Sequence, residues 1–160
     1  MNQPSADYLV GAVKKEELQD MININLKTLP EHYTDDFYLE LIQKFPEGCL
    51  VAKANGVIVG YILNRVELNF GSFGLNLTKK GHVVSVAVLE DYRRKGIGRR
   101  LIELSMGAMR KRGCKELFLE VRISNDEAIN LYKKLGFTIT KTIGGYYTNG
   151  EAAYVMERPI

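Results

Sequence analysis

The most concentrated chemistry in the chain lies at Arg93-Arg94-Lys95-Gly96-Ile97-Gly98-Arg99-Arg100, where five cations flank two glycines within eight residues. Glycine lets a ligand reach the backbone with no Cβ in the way. A helix opening at Gly96 or Gly98 also turns unpaired N–H groups and the positive end of its dipole toward the same loop. The chemistry that suits this arrangement is anion binding, phosphate above all. It is not a nucleotide P-loop, since no Gly-Lys-Ser/Thr follows, and not the dinucleotide fingerprint, since the third glycine position is Leu101. A plain basic loop closed by glycine has the same composition, so spacing alone leaves both readings open.

The elements that must position this loop are legible on either side of it. Leu18, Met21, Ile22, Leu26 and Leu29 recur at three- and four-residue spacing, which predicts an amphipathic helix over residues 14–29 ended by Pro30. A shorter helix is expected from Asp36 to Phe45, stopped by Pro46 and Gly48. Residues 49–54 and 57–65 read as strands joined by Asn55-Gly56, which suits a type I′ turn. Residues 66–81, with Gly71, Gly74 and Gly81, lose clear period and read as a long loop or flap. His82 to Val88 is too apolar for a one-sided strand and reads as a central, doubly covered one.

Past the basic loop, a helix runs to about Arg112 and closes at Gly113. Lys115 to Arg122 forms a strand. Ser124-Asn125-Asp126-Glu127 has the S-x-x-E form of a capping box before a helix through Leu135. Gly136-Phe137 leads into another strand, and Tyr154 to Met156 supplies the last. The expected order, α-α-β-β-loop-β-α-β-α-β-β, is that of an α/β (α+β) domain with a mixed sheet and helices on its faces.

With 160 residues, 46% of them apolar and 26% charged, the chain is expected to form one domain over 1–160. This composition excludes disorder, collagen-like repeats and disulfide-built mini-domains. No apolar stretch approaches the roughly 20 residues needed to cross a bilayer, and MNQPSADY lacks a signal-peptide layout, so a cytoplasmic protein without a membrane partner is expected. Cys49 and Cys114 stand far apart with no Cys/His spacing around them, which predicts buried cysteines and neither zinc nor a disulfide framework. A net charge of +3 is too small to imply nucleic acid. A nucleic-acid module built on Arg93–Arg100 with Arg110-Lys111-Arg112 would lack aromatic interleaving and a recognition helix, so no nucleic-acid partner is expected.

Arg93-x-x-Gly96-x-Gly98 resembles the R/Q-x-x-G-x-G/A acetyl-coenzyme A signature of the GNAT superfamily of N-acetyltransferases. Gly81 to Val88, Leu119-Glu120-Val121-Arg122, Ser124-Asn125, Leu131-Tyr132 and Leu135-Gly136-Phe137 further resemble protein N-terminal (N-alpha) acetyltransferases. Within them, the archaeal enzymes akin to ribosomal-protein alanine acetyltransferase and the NatA catalytic subunit are the most similar. Leu29-Pro30-Glu31-His32-Tyr33 and Tyr146-Tyr147-Thr148-Asn149-Gly150-Glu151 resemble that group's two peptide-side motifs, so the likeness runs from residue 29 onward. Asn149 and Ala152 depart from it, standing where Asp is common.

The resemblance implies a GNAT-like domain, its sheet mostly antiparallel with a splayed central strand pair, using acetyl-CoA as cosubstrate and no metal. It assigns the pantetheine arm to Val86, Ala87 and Val88. The pyrophosphate goes to Arg93, Arg94, Lys95, Gly96, Ile97, Gly98 and Arg99, and a further cofactor contact to Asn125 and Tyr132. Tyr132 would act as general acid toward the departing thiolate, and Glu120 as base, with His82 and Glu31 as partners in a water relay. Glu31, Tyr33, Val86, Tyr146 and Tyr147 would hold the N-terminal peptide of a protein substrate, ribosomal or nascent chains among them. Each residue also has a plainer reading: Tyr132 as a core aromatic, Asn125 as a helix cap, Glu120, Glu31 and His82 as ordinary polar positions. His82 and Glu120 together are too few ligands to predict a metal.

An acceptor α-amine titrates near roughly 7.7–8.0 against about 10.4 for lysine, so a weak base acting through water suffices for it. No cysteine stands beside a base, so direct attack in a ternary complex is expected, not an acyl-cysteine. Acetylation of a lysine or small amine would use the same cofactor site. An auxiliary subunit on the first helices is left open by the sequence.

Overall fold

The computed structural model describes residues 7–74 and 76–160. Its elements, in chain order, are β1 (Tyr8–Ala12), α1 (Leu18–Thr28), α2 (Asp35–Lys44), β2 (Leu50–Ala54), β3 (Val57–Phe70), β4 (Leu77–Val88), α3 (Ile97–Lys111), β5 (Glu116–Arg122), α4 (Asp126–Lys134), β6 (Thr138–Ile143) and β7 (Ala153–Pro159). The seven strands follow the order β1-β2-β3-β4-β5-β7-β6. The pairs β1–β2, β2–β3, β5–β7 and β6–β7 are antiparallel, whereas β4 and β5 are parallel. That parallel pairing covers Lys80–His82 against Glu116–Phe118, and both strands continue past it, to Val88 and to Arg122.

The chain forms two compact units: residues up to Arg65 with Val83–Ala108, and Val66–His82 with Met109–Ile160. In the first, the period of two along β3 sorts its side chains to two faces. Tyr61 and Leu63 join Met21, Ile22, Ile24, Tyr38 and Leu41 in a buried cluster beneath α1 and α2. Asn64 faces α3 instead, its amide donating to Ser105 Oγ at 2.7 Å, and a Cβ on Gly60 would touch Ile97 at 3.4 Å. Helices thus cover both faces of this part of the sheet. In the second unit α4 buries Ile129 and Tyr132, and Tyr132 packs on Phe137 with centroids 5.8 Å apart.

The Asn55-Gly56 turn is as expected, with φ of 53° and 78°. Two expectations are corrected. Residues 66–81 are not a long flap: β3 continues to Phe70 and β4 begins at Leu77, so only residues 71–76 connect them. The cap of α4 is not a Ser124 box, because the Asn125 side chain accepts from the Ala128 amide at 3.2 Å. Strand β1 was not foreseen. Cys49 and Cys114 are free and buried. Among the described residues no helix is long and apolar enough to cross a membrane.

Candidate active site

In the first unit, the basic loop sits between the end of β4 and the start of α3. Arg94 and Gly96 both take positive φ, 61° and 85°. Such a conformation is uncommon for an arginine. A Cβ built on Gly96 meets no atom within 4 Å, so the backbone there lies open to a ligand, and α3 contributes the unpaired amides of its first turn. The loop is held from within. Arg93 Nε donates to Val88 O at 2.9 Å, Tyr8 Oη to Gly96 O at 3.3 Å, and Lys95 lies 5.5 Å over the Tyr92 ring. Arg99 pairs with Glu103 at 3.1 Å. Arg93 is therefore a strut of the loop as well as a cation beside it. Lys95, Gly96, Ile97, Gly98 and Arg99 follow in sequence through this loop into the first turn of α3. Along β4, Val83, Ser85 and Ala87 are buried, while Val84, Val86 and Val88 are half-buried on the other face.

Glu31 and Tyr33 lie in the same unit, in the connection between α1 and α2. That connection is anchored by Asn25, fully buried, whose amide donates to Glu31 O at 3.0 Å and to Tyr61 Oη at 3.1 Å. Tyr61 Oη then meets Ser85 Oγ at 2.7 Å. Tyr33 stacks near Phe37 and Tyr38, with centroids at 5.0 and 5.9 Å. The sequence offered one signal for this chain of contacts, an asparagine on the apolar face of an amphipathic helix.

In the second unit the structure brings His82 and Glu120 together: Nε2 stands 2.8 Å from Oε1. Glu67 faces the other ring nitrogen, with Oε2 3.4 Å from Nδ1. The two carboxylates lie against opposite edges of the ring, so they do not converge on one ion. Among the described residues no group of three or more His, Cys, Asp or Glu side chains is arranged to hold a metal. Glu67 was missed because it fell in the stretch read as a flap.

Tyr132 is buried, and burial pushes its phenol up to about 12. Its helix starts at Asn125, whose side-chain oxygen is committed to capping. Tyr146 and Tyr147 sit in the turn between β6 and β7, edge to face at 4.9 Å. Arg122, at the end of β5, fixes this turn. Its Nη1 donates to Asn149 Oδ1 at 3.1 Å and Glu151 Oε1 at 3.0 Å, and its guanidinium lies 3.9 Å from the Tyr147 centroid. Asn149, where the resemblance expected Asp, still accepts a bond from Arg122.

The chain belongs to the Acetyltransferase (GNAT) family, which it matches over residues 18–137. It is 44% identical over 96% of its length to an N-alpha-acetyltransferase of Sulfurisphaera tokodaii, covering 94% of that protein. Ard1 from Thermoplasma volcanium superposes with a TM-score of 0.85 at 29% identity, covering 96% of this chain and 98% of that one. Arabidopsis thaliana Naa50 in complex with the bisubstrate analogue CoA-Ac-MVNAL gives 0.83 at 29% identity, over 96% and 99%.

Proposed function

We propose that this protein is an acetyl-CoA-dependent N-alpha-acetyltransferase that acetylates the N-terminal amine of protein chains by direct attack in a ternary complex, with residues 1–160 acting as one catalytic domain. The observation that carries this reading is the near full-length likeness to N-alpha-acetyltransferases described above, joined to the His82–Glu120 pair at 2.8 Å.

Acetyl-CoA brings the activated acetyl group. The backbone amides from Arg94 to Arg99, with the cations of that loop, hold its pyrophosphate. Val86 to Val88 offer a strand edge to its amide-bearing arm, and an amide there polarises the thioester carbonyl as charge develops on oxygen. Glu31, Tyr33, Val86, Tyr146 and Tyr147 position the acceptor peptide. Glu120, with His82, removes the proton that the α-ammonium must lose, through one water where needed. Tyr132 donates to the sulfur as it departs, and Asn125 sets the start of the helix that carries it. Direct attack is supported by both thiols: burial pushes Cys49 up to about 11 and raises Cys114, and both are inaccessible, so neither supplies a thiolate.

We place the acceptors among ribosomal or nascent chains in the cytoplasm. Thiol release with short peptides tests the core of the reading. Turnover with a free N-terminus and none with the same peptide N-terminally blocked is expected; equal turnover on a blocked, lysine-containing peptide would point to lysine acetylation instead.

A further inference from the structure

Pro30 has no N–H with which to extend α1, so the segment carrying Glu31 and Tyr33 leaves the helix as an irregular connection. Asn25 grips the chain on both sides of that proline. Its carbonyl accepts from the Leu29 amide at 3.0 Å, and its side-chain amide donates to Glu31 O at 3.0 Å. The second N–H of the side chain goes to Tyr61 Oη on β3 at 3.1 Å, and Tyr61 Oη lies 2.7 Å from Ser85 Oγ on β4. Asn25 and Tyr61 are fully buried, and Ser85 is 7% exposed. From the same connection, Tyr33 Oη reaches the carbonyl of Val84, the residue before Ser85, at 3.5 Å.

The hydrogen count gives this chain of contacts one direction. A side-chain amide has two N–H groups, and Asn25 spends one on each partner. Tyr61 Oη accepts one of them, which leaves its own proton for Ser85 Oγ. The Asn25 amide oxygen has no hydrogen bond among the described residues and is sealed from solvent, so its donors alone hold the side chain. Burying an amide costs free energy that an apolar residue would not. Its buried neighbours on α1 are Met21, Ile22 and Ile24, and packing alone calls for a leucine there. What a leucine cannot supply is the pair of donors that joins the connection to the sheet. Strand β4 is held between β3 and β5, whereas the connection belongs to no regular element, so cutting the tie frees the connection before the strand.

We infer that Asn25 is a positioning residue for the acceptor peptide: through Tyr61 and Ser85 it fixes the α1–α2 connection against β4, so that Glu31 and Tyr33 stand in a set relation to Val86. This rests on the peptide-side role given above to Glu31, Tyr33 and Val86. No bond of the acetyl transfer is made or broken through the tie, and it carries no proton for the reaction. It acts only on where the peptide lies, so its kinetic signature is a raised peptide KM without a matching loss of kcat.

Tyr61→Phe is the sharpest variant, because it removes a single oxygen and leaves the Asn25–Glu31 bond in place. It should raise the peptide KM about three- to tenfold, the worth of one buried hydrogen bond, with kcat and the acetyl-CoA KM within about twofold of wild type. Asn25→Leu should raise the peptide KM further. The double variant Asn25→Leu/Tyr61→Phe should be no worse than Asn25→Leu, since both substitutions cut one chain of contacts. A Tyr61→Phe peptide KM equal to wild type would overturn the tie, and so would effects that multiply in the double variant. Equal losses in kcat and in acetyl-CoA binding would overturn it too, because they mark general damage to the fold. A second reading needs no substrate. The chain has two histidines, and His32, whose Nε2 lies 2.9 Å from Leu29 O, reports the connection through its imidazole NMR signal. Both single variants should move the His32 signal and leave that of His82, in the other unit, in place. An unmoved His32 signal would overturn the tie. A moved signal in a protein that acetylates no peptide would overturn the function on which the role depends and leave the tie itself standing.

Discussion

In the proposed reaction Tyr132 and Glu120 would divide the proton traffic, and their surroundings set what each is able to do. A phenol pushed up to about 12 does not hand its proton outright to a thiolate whose conjugate acid titrates near roughly 8.5. Its contribution is a hydrogen bond that strengthens as charge builds on sulfur, or a proton shuttled and promptly regained. Tyr132→Phe should therefore lower kcat by about tenfold to a hundredfold while leaving acetyl-CoA affinity unchanged. The deficit should shrink with a thioester of a more acidic thiol; a deficit independent of the leaving group would remove Tyr132 from the departure step. Glu120→Gln takes away the proton acceptor itself. It should cost about 10²–10³ in kcat/KM with the acetyl-CoA affinity retained, as stopped-flow binding and steady-state rates together would show.

At the scale of elements, the two short connections proposed to hold the peptide are built differently. The α1–α2 connection hangs from the buried Asn25, whereas the β6–β7 turn is clamped by Arg122. Arg122→Gln should raise the peptide KM several-fold and leave the acetyl-CoA KM alone, because it releases Tyr147 and not the phosphate loop. Hydrogen bonding from Ser124 and then Arg122 holds the Glu151 carboxyl below the usual carboxylate range, against the opposing effect of burial. The clamp is intact above that lowered value and loosens as pH falls through it, so the peptide KM should rise in acid before the acetyl-CoA KM does.

Elements were legible wherever apolar period and turn chemistry agreed. Asn55-Gly56 announced its hairpin, and Gly113 the end of α3, with φ of 86°. The outer part of β3 and the start of β4 were misread because their pattern is inside out: Lys80 and His82 are buried and Glu67 is half-buried, while Leu68, Phe70 and Leu77 are 65%, 70% and 55% exposed. An apolar-in rule finds no strand there. Strand β1 escaped for a plainer reason, being a five-residue edge with no fully buried side chain. The glycine-rich turn ahead of α3 was readable from motif spacing, but the Glu67–His82 contact was not, since it forms between strands.

Across the whole molecule, acid stability should follow its buried ion pairs. Burial alone would raise the Glu157 carboxyl, but hydrogen bonds from Lys80, Thr140 and Ser72 outweigh it and hold the group below its ordinary value. Glu17 behaves alike through Lys53 and the Lys14 amide. A depressed carboxyl stabilises the fold fully above its unfolded value, roughly 4.3, and that contribution is lost as pH falls through the folded one. The melting temperature should thus drop on acidification below about pH 4.5. Glu157→Gln should cost about 1–3 kcal/mol at neutral pH and flatten that acid slope; an unchanged slope would mean the Lys80 network does not govern it.

At the scale of the reaction, the acceptor atom separates an N-terminal acetyltransferase from a lysine acetyltransferase. Incubating the protein with acetyl-CoA and a peptide that carries both a free α-amine and an internal lysine, then locating the added mass by fragmentation, reads this directly. Acetylation confined to the α-amine is the result predicted; acetyl found on the lysine, or first on a cysteine of the enzyme, would contradict it.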